Sequence, residues 1–154
     1  MYKINISSRT LHFLLPAGTS RGVYTTRKSY YVTLSDTNQP DVVGIGECAT
    51  LPDLSCDAMT DEEYEQKLRS FCDDFCHTGV IDIDAMRPYP SMLFGLETAK
   101  AQLDAKGSIN FFNTVFGRGE EGITINGLVW MGTFDEMYQR LEMKLKAGFR
   151  CVKL

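Results

Sequence analysis

A lysine at the end of a strand can carry a proton or tune the pKa of a neighbour, and Lys153 stands in such a position. Alternation puts Cys151 and Lys153 on one face of the strand-like run Cys151-Val152-Lys153-Leu154, with Val152 and Leu154 on the other. In a parallel barrel the apolar pair would meet the helices and the lysine would point inward near the strand's end, where active sites lie. On an edge strand the same lysine would face solvent. Spacing alone leaves both readings open.

Other groups offer less. Cys72, Cys76 and His77 invite a metal reading because Cys72 and Cys76, at i and i+4, share a helix face, but zinc sites draw four ligands and no second pair follows at a finger-like spacing. Two cysteines packing inward is the preferred reading. Asp82 and Asp84 lack the glycine and glutamate of a calcium loop and are expected to face water. His12 and His77, the two histidines, have no nucleophile context, so a Ser-His-Asp or Cys-His hydrolase has no support. Gly44-Ile45-Gly46-Glu47 ends a strand with no third glycine and no helix directly behind it, so it is not a dinucleotide fingerprint. Its glycines are better read as allowing close packing or a bulge. Gly117-Arg118-Gly119 lacks a phosphate-loop lysine and reads as a flexible connector.

The elements that must hold these residues show in the hydrophobic period. Tyr2, Ile4 and Ile6 alternate with polar neighbours, as do Leu11, Phe13 and Leu15, and a β-rich run extends from Val23 to Leu34. Between them, Pro16 to Gly22 has the composition of a loop, and Ser35 to Asp41 is turn-rich before a third strand, Val42 to Ala49. These make an antiparallel three-strand meander. Thr60 and Glu63 then form a capping-box pattern, Tyr64, Leu68, Phe71 and Phe75 recur at helical spacing, and Gly79 supplies the stop, giving a helix over roughly 61 to 77. Pro90 and Ser91 open another helix, with an apolar stripe of Leu93, Leu96, Ala99 and Leu103.

The final stretch has a different logic. Ile123 to Trp130 reads as a strand, Thr133 and Glu136 as a second capping box, Phe134, Met137, Leu141 and Leu145 as a helix stripe, and Phe149 to Leu154 as another strand. Such a β-α-β unit normally makes parallel strands under a crossover helix. Two parallel strands alone leave sheet edges open, so the chain is expected to stop inside a second domain. The expected division is an α+β domain at 1–122 and the start of a (β/α) barrel at 123–154.

The sequence has 154 residues, 44% of them hydrophobic and 23% charged, the balance of a folded rather than a disordered chain. Lysine plus arginine number 16 against 20 acidic residues, a net charge of −4, with the basic residues scattered. That excludes the basic stripe of a nucleic-acid binder. Arg27-Lys28, one of its few basic pairs, is expected on a solvated strand face. No run approaches a membrane span, and the start carries no apolar signal segment, so the cytoplasm is the default expectation. Five cysteines at irregular spacing read as reduced, mostly buried thiols.

Taken together, Pro16 to Gly22, Gly44 to Ala49, Ser91 to Ala99, Ile125 to Leu128 and Gly148 to Leu154 resemble the enolase superfamily in order and spacing. The resemblance covers the whole chain and implies a capping domain followed by a TIM-like barrel, truncated here. Its nearest branch is a carbon–oxygen lyase that removes a proton next to a carboxylate and expels hydroxide, feeding menaquinone synthesis. A dipeptide epimerase or N-acylamino acid racemase of the same superfamily is the alternative. The rival from another class is a non-enzymatic α+β binding module whose last unit pairs with another chain.

The resemblance makes Lys153 the first lysine of a Lys-x-Lys motif whose second member is the acid/base, and it puts that base and the Mg2+ ligands beyond Leu154. The chain alone would then bind no metal and be inactive. Chemistry of this kind pairs a lysine base with Mg2+ to stabilise an enediolate. Two capping-domain loops would close over the barrel mouth, at Gly18 to Val23 and at Cys48 to Leu54. Substrate contacts are expected from Ser20, Arg21, Gly22, Thr50, Leu51 and Trp130. Arg21 suits a carboxylate but would also serve as a solvated loop arginine. Thr50 and Leu51 would pack or make polar contacts, and Trp130 would touch substrate or fill the barrel top. The implied partners are a small carboxylate substrate and the rest of the barrel, with no membrane or nucleic acid; a homo-oligomer is left open.

Overall fold

The computed structural model describes residues 1–19, 21–51, 54–110 and 112–154. A three-stranded meander, β1 (Tyr2–Thr19), β2 (Gly22–Asp36) and β3 (Gln39–Ala49), pairs in the order β1-β2-β3. Helices α1 (Asp61–Thr78), α2 (Ile83–Met86) and α3 (Pro90–Asp104) follow. A separate parallel pair, β4 (Gly127–Leu128) and β5 (Val152–Lys153), brackets α4 (Phe134–Lys146). The expected α+β layout with a terminal β-α-β is therefore present.

Several local expectations change. The segment 16–22, read as a loop, is largely strand: β1 runs to Thr19 and β2 resumes at Gly22. Two strands of that length leave only a tight turn, and Gly22 sits at φ +154, where a side chain is rarely tolerated. The strands expected over 123–130 and 149–154 shrink to two residues each. Asp82 caps the short α2, its carboxylate accepting from the Ala85 N–H at 3.0 Å, and both Asp82 and Asp84 are exposed as expected.

Helix α1 shows how closely local chemistry decides the ends. Thr60 accepts from the Glu63 N–H at 3.3 Å while the Glu63 carboxylate accepts from the Thr60 N–H at 3.1 Å. Gly79, at φ +72, closes the other end by donating to the Phe75 carbonyl at 2.7 Å. The buried face is Tyr64, Leu68, Cys72 and Phe75; Phe71 turns aside to meet Tyr89, ring centroids 5.5 Å apart.

The core lies where α1 and α3 cover one face of the sheet. Register pairs Tyr30 with Cys48, Val32 with Gly46 and Leu34 with Gly44, so these six share the helix-facing side. Met92, Leu96, Ala99 and Leu103 come down from α3. The approach is close because glycine faces glycine. A Cβ at Gly44 or Gly46 would collide with the backbone carbonyls of Ala99 and Gly95, and one at Gly95 would strike the Cys48 sulfur. Gln102 of α3 also reaches the open edge of β3, accepting from the Ile45 N–H at 2.8 Å.

By compactness the chain forms two units, one of Met1–Leu14 with Thr26–Asn113, the other of Leu15–Thr25 with Thr114–Leu154. In the second, β4 and β5 are joined by bonds from the Gly127 N–H to the Cys151 carbonyl and from the Val129 N–H to the Lys153 carbonyl, both 2.9 Å. No residue of α4 is fully buried; Met137 and Leu141 are half-covered, Phe134 and Leu145 exposed.

Gly46→Ala is expected to destabilise the chain by about 3 kcal/mol or more, because backbone on both sides cannot rotate away. Gly122→Ala, whose new methyl meets nothing within 4 Å, is the control, expected within about 0.5 kcal/mol of the parent. Urea unfolding followed by circular dichroism measures both.

Candidate functional site

Lys153 stands on β5 directly beside Leu128 of β4 and is exposed, and Cys151, just before the strand, is exposed too; Val152 between them is half-buried. The expected alternation holds from Cys151 to Lys153 and fails at Leu154, which was expected on the covered face with Val152 and is exposed, the strand having ended at Lys153. Trp130 lies just past β4, following the buried Val129, and is 44% exposed. Its carbonyl and that of Met131 each accept from Arg140 Nη1 of α4 at 2.9 Å. Arg140 therefore clamps the segment that leaves β4. It went unnoticed in the sequence, although it falls one turn after Glu136 of the capping box, whose carboxyl is held below its usual range by hydrogen bonds from the Thr133 backbone and side chain.

At the hairpin tip, Thr19 Oγ1 accepts from the Arg21 N–H at 3.2 Å and donates to the Gly22 carbonyl at 3.0 Å. Arg21 and Gly22 are exposed, and Ser20 lies outside the described residues. Both ends of the tip are thus tied to one threonine hydroxyl.

Beyond β3, Thr50 and Leu51 are half-buried. Pro52 and Asp53, within the same expected loop, lie outside the described residues. Leu51 is held on both sides of its peptide: its N–H donates to Ser55 Oγ at 2.9 Å, and its carbonyl accepts from the N–H groups of Ser55 at 3.0 Å and Leu54 at 3.2 Å. Two residues later Asp57 is buried, 3% exposed. One carboxylate oxygen accepts from the Ser91 N–H at 2.8 Å and the Ser91 hydroxyl at 2.6 Å.

That contact answers a need of α3. Its N-cap, Tyr89, makes no side-chain bond to the first turn, and Pro90 has no N–H. The free Ser91 N–H is satisfied by Asp57, 34 residues earlier, whose charge also suits the positive end of the helix. The Ser91 hydroxyl in turn meets Tyr64 of α1 at 2.5 Å. Tyr64 stacks on Tyr30 at 4.9 Å, and burial pushes its phenol pKa well up. Tyr30 donates to the Asp61 carbonyl at 3.1 Å, and Lys28 pairs with the Asp61 carboxylate at 2.7 Å.

A cleft of about 580 Å³ opens beside this network, lined by Arg27, Glu47, Leu54, Ser55, Asp57 and Phe94 among others. Arg27 is not on a solvated face as expected; it is half-buried, with Nε out of contact with water and without a hydrogen-bond partner. Ser55 and Asp57 carried no sequence signal of their own.

The glycine pair Gly44 and Gly46 proves to be a packing device, and Cys72 faces the core as expected, with Cys76 half-covered and His77 exposed. Among the described residues no three His, Cys, Asp or Glu side chains are grouped to hold a metal ion. No described helix is long and apolar enough to cross a membrane.

A meander packed on helices through paired glycines, then a parallel β-α-β with an exposed lysine on its second strand, is the capping domain and barrel start of one fold family: the chain belongs to the enolase superfamily. Within it the likeness in sequence is to o-succinylbenzoate synthase. The synthase of Desulfotalea psychrophila is 32% identical over 94% of the chain and 46% of its own length. A crystal structure of MenC from the same organism matches 98% of the chain and 48% of its own, at 25% identity and a TM-score of 0.65. O-succinylbenzoate synthase from Thermosynechococcus elongatus, complexed with Mg in its active site, matches 98% of the chain and 41% of its own at 20% identity and a TM-score of 0.61. An Agrobacterium tumefaciens enolase family member with homology to dipeptide epimerases matches 99% and 45%, at 14% identity and a TM-score of 0.69. The last two likenesses are of fold. The chain spans about half the length of these relatives, and no family model matches it.

Desolvation pushes the Cys48 and Cys72 thiols from 9.0 up to about 12. Both should stay protonated and unreactive toward Ellman's reagent at pH 8 in the folded chain, while the exposed Cys56 and Cys151 react promptly. Unfolded thiols ionise near 9.0 and the folded ones only near 12, so this contribution to stability is complete below pH 9 and is lost between pH 9 and 12. Thiol titration with and without denaturant, and unfolding at pH 8 and pH 10.5, check the two halves.

Proposed function

We propose that the chain is the N-terminal part of an o-succinylbenzoate synthase-like carbon–oxygen lyase, with a capping domain at 1–122 and the start of the barrel at 123–154. The observation that carries this is the 32% identity to a synthase over 94% of the chain, joined to an exposed Lys153 on the second strand of a parallel β-α-β. The reaction would remove a proton next to a carboxylate and expel hydroxide, giving the aromatic acid that feeds menaquinone synthesis.

In this reading Lys153 is the first of two lysines that share a strand face, the second being the acid/base in the part of the barrel beyond this chain. A like charge at that distance lowers the pKa of the neighbouring amine from about 10.4 toward the range of about 7 to 8 that suits a general base. Thr50 and Leu51 from the loop after β3, and Ser20, Arg21 and Gly22, would contact substrate, and Trp130 would touch it or fill the barrel top. Mg2+ would stabilise the charge that proton removal creates, but the described residues of this chain form no site for it. In this reading every step assigned to this chain is one of binding, orientation or proton-affinity tuning, and the chain by itself would be inactive.

A dipeptide epimerase is the second reading, favoured by the fold likeness to the Agrobacterium protein at a TM-score of 0.69. It uses the same lysines with different loop contacts. Assaying the intact protein with Mg2+ against both substrate classes separates them: elimination from the cyclohexadiene dicarboxylate is expected, and turnover of dipeptides alone would overturn the lyase reading. Lys153→Ala in that protein should lower kcat by about 100-fold or more. It should also move the acidic limb of the pH–rate profile upward by about one unit, because removing a positive neighbour raises the pKa of the base.

A further inference from the structure

Asp57 is a buried carboxylate that no step above uses, and its placement is unusual for a helix cap. A cap normally comes from the residue before the helix. Here Tyr89 provides no bond, and the acceptor comes from the chain just after the β3 loop, 34 residues away in sequence. Among the described residues of this stretch, the Leu51 N–H donates to Ser55 Oγ, the Leu51 carbonyl accepts from the Ser55 and Leu54 N–H groups, and the Ala58 N–H, just past Asp57, donates to the Ser55 carbonyl at 3.2 Å. It is tied to the helices through Asp57, by way of Ser91 to Tyr64.

We infer that Asp57, acting through Ser55, is the positioning residue that sets where Thr50 and Leu51 stand, and so tunes which carboxylate substrate the enzyme selects. The inference rests on the assignment of Thr50 and Leu51 to the substrate pocket. Asp57 touches no substrate. It holds one end of the loop while β3, locked on α3 by its glycines, holds the other. Both anchors bear on the same helix: Gly95 and Ala99 of α3 take the strand and Ser91 takes the carboxylate. Strand β3 and Asp57 are therefore both held by α3. Cys56, exposed and adjacent to Asp57, reports on the anchor without any substrate.

The test compares Asp57→Ala, Asp57→Asn and Ser55→Ala in the intact enzyme by three measurements: melting temperature, rate of Cys56 alkylation mapped by mass spectrometry, and KM against kcat. Asp57→Ala should speed Cys56 alkylation in the folded protein about tenfold and raise KM about tenfold with kcat within threefold. Asparagine still accepts from the Ser91 N–H and should bring both within threefold of the parent. Ser55→Ala, which leaves the helix cap untouched, should raise KM at least threefold and keeps the inference exposed if Asp57→Ala does not fold. A lower melting temperature with Cys56 alkylation and KM unchanged would reduce Asp57 to a helix cap and overturn the inference, as would an unchanged KM in Ser55→Ala. Should the protein prove to be an epimerase, the dipeptide replaces the dicarboxylate in the KM measurement. Should it turn over neither, the substrate-pocket assignment of Thr50 and Leu51 fails and the inference is overturned with it, whatever the alkylation rate; failure of the inference alone shows instead as an active enzyme with unchanged KM.

Discussion

The backbone contact between β3 and α3 is the constraint on which the first unit depends. Three glycines and one alanine, Gly44, Gly46, Gly95 and Ala99, let a strand and a helix approach until main chain meets main chain. Side chains on neighbouring elements then fill what remains: Leu34, Val32 and Tyr30 from β2, Met92, Leu96 and Leu103 from α3, and Tyr64, Leu68 and Phe75 from α1. Each fully buried aliphatic of this kind contributes roughly 1.5 to 3 kcal/mol. They can do so only because the glycines set the spacing; a wider gap would leave these side chains facing cavities instead of one another. The pairing also fixes the register in which β3 ends, and hence where the following loop begins.

The polar network at one end of this contact follows from the same geometry. With α3 drawn tightly onto β3, the start of the helix falls beside the turn after Leu51, and the unsatisfied Ser91 N–H must find an acceptor there. Asp57 provides it. The cost of burying a carboxylate is offset by two charge-assisted bonds from Ser91 and by the helix end itself. Tyr64 and Tyr30 extend the chain of contacts to Asp61 at the start of α1, where Lys28 closes it from β2. Helices α1 and α3 and strand β2, with Asp57 from the chain between β3 and α1, thus share a single connected path.

Much of the architecture was legible because its signals are local. The Thr60–Glu63 and Thr133–Glu136 boxes each form in full, Gly79 takes the left-handed conformation expected of a helix stop, and period-two alternation marks β2 and β3. The glycines of Gly44-Ile45-Gly46 were correctly read as packing residues from what they lack, a third glycine and a following helix. What escaped was non-local. Nothing near Asp57 points to Ser91, nothing near Arg140 points to the carbonyls of Trp130 and Met131, and the half-burial of Arg27 depends on a cleft assembled from three separate stretches. The hairpin tip misled for another reason. Pro16, Gly18 and Gly22 have loop composition, yet a two-stranded ribbon tolerates them because its outer edges need no ladder bonds.

The two ends of the molecule follow different logics of support. In the first unit the core is closed: its apolar stripes face one another, and the buried Asp57 finds its partner in Ser91. In the second, the Thr133 capping box forms as completely as the Thr60 box, and yet α4 buries no residue fully, while Phe134 and Leu145 stand exposed beside a sheet of two residues per strand. Local chemistry is sufficient to start a helix; only packing partners make its apolar face stabilising. A parallel strand needs neighbours on both edges and a layer on both faces before its backbone and side chains are satisfied. The same β-α-β that places Lys153 on an accessible strand face therefore derives its stability from surroundings that β4, α4 and β5 do not supply to one another. The first unit thus stands on contacts among its own elements, whereas α4 in the second has a complete cap and no buried side chain to stand on.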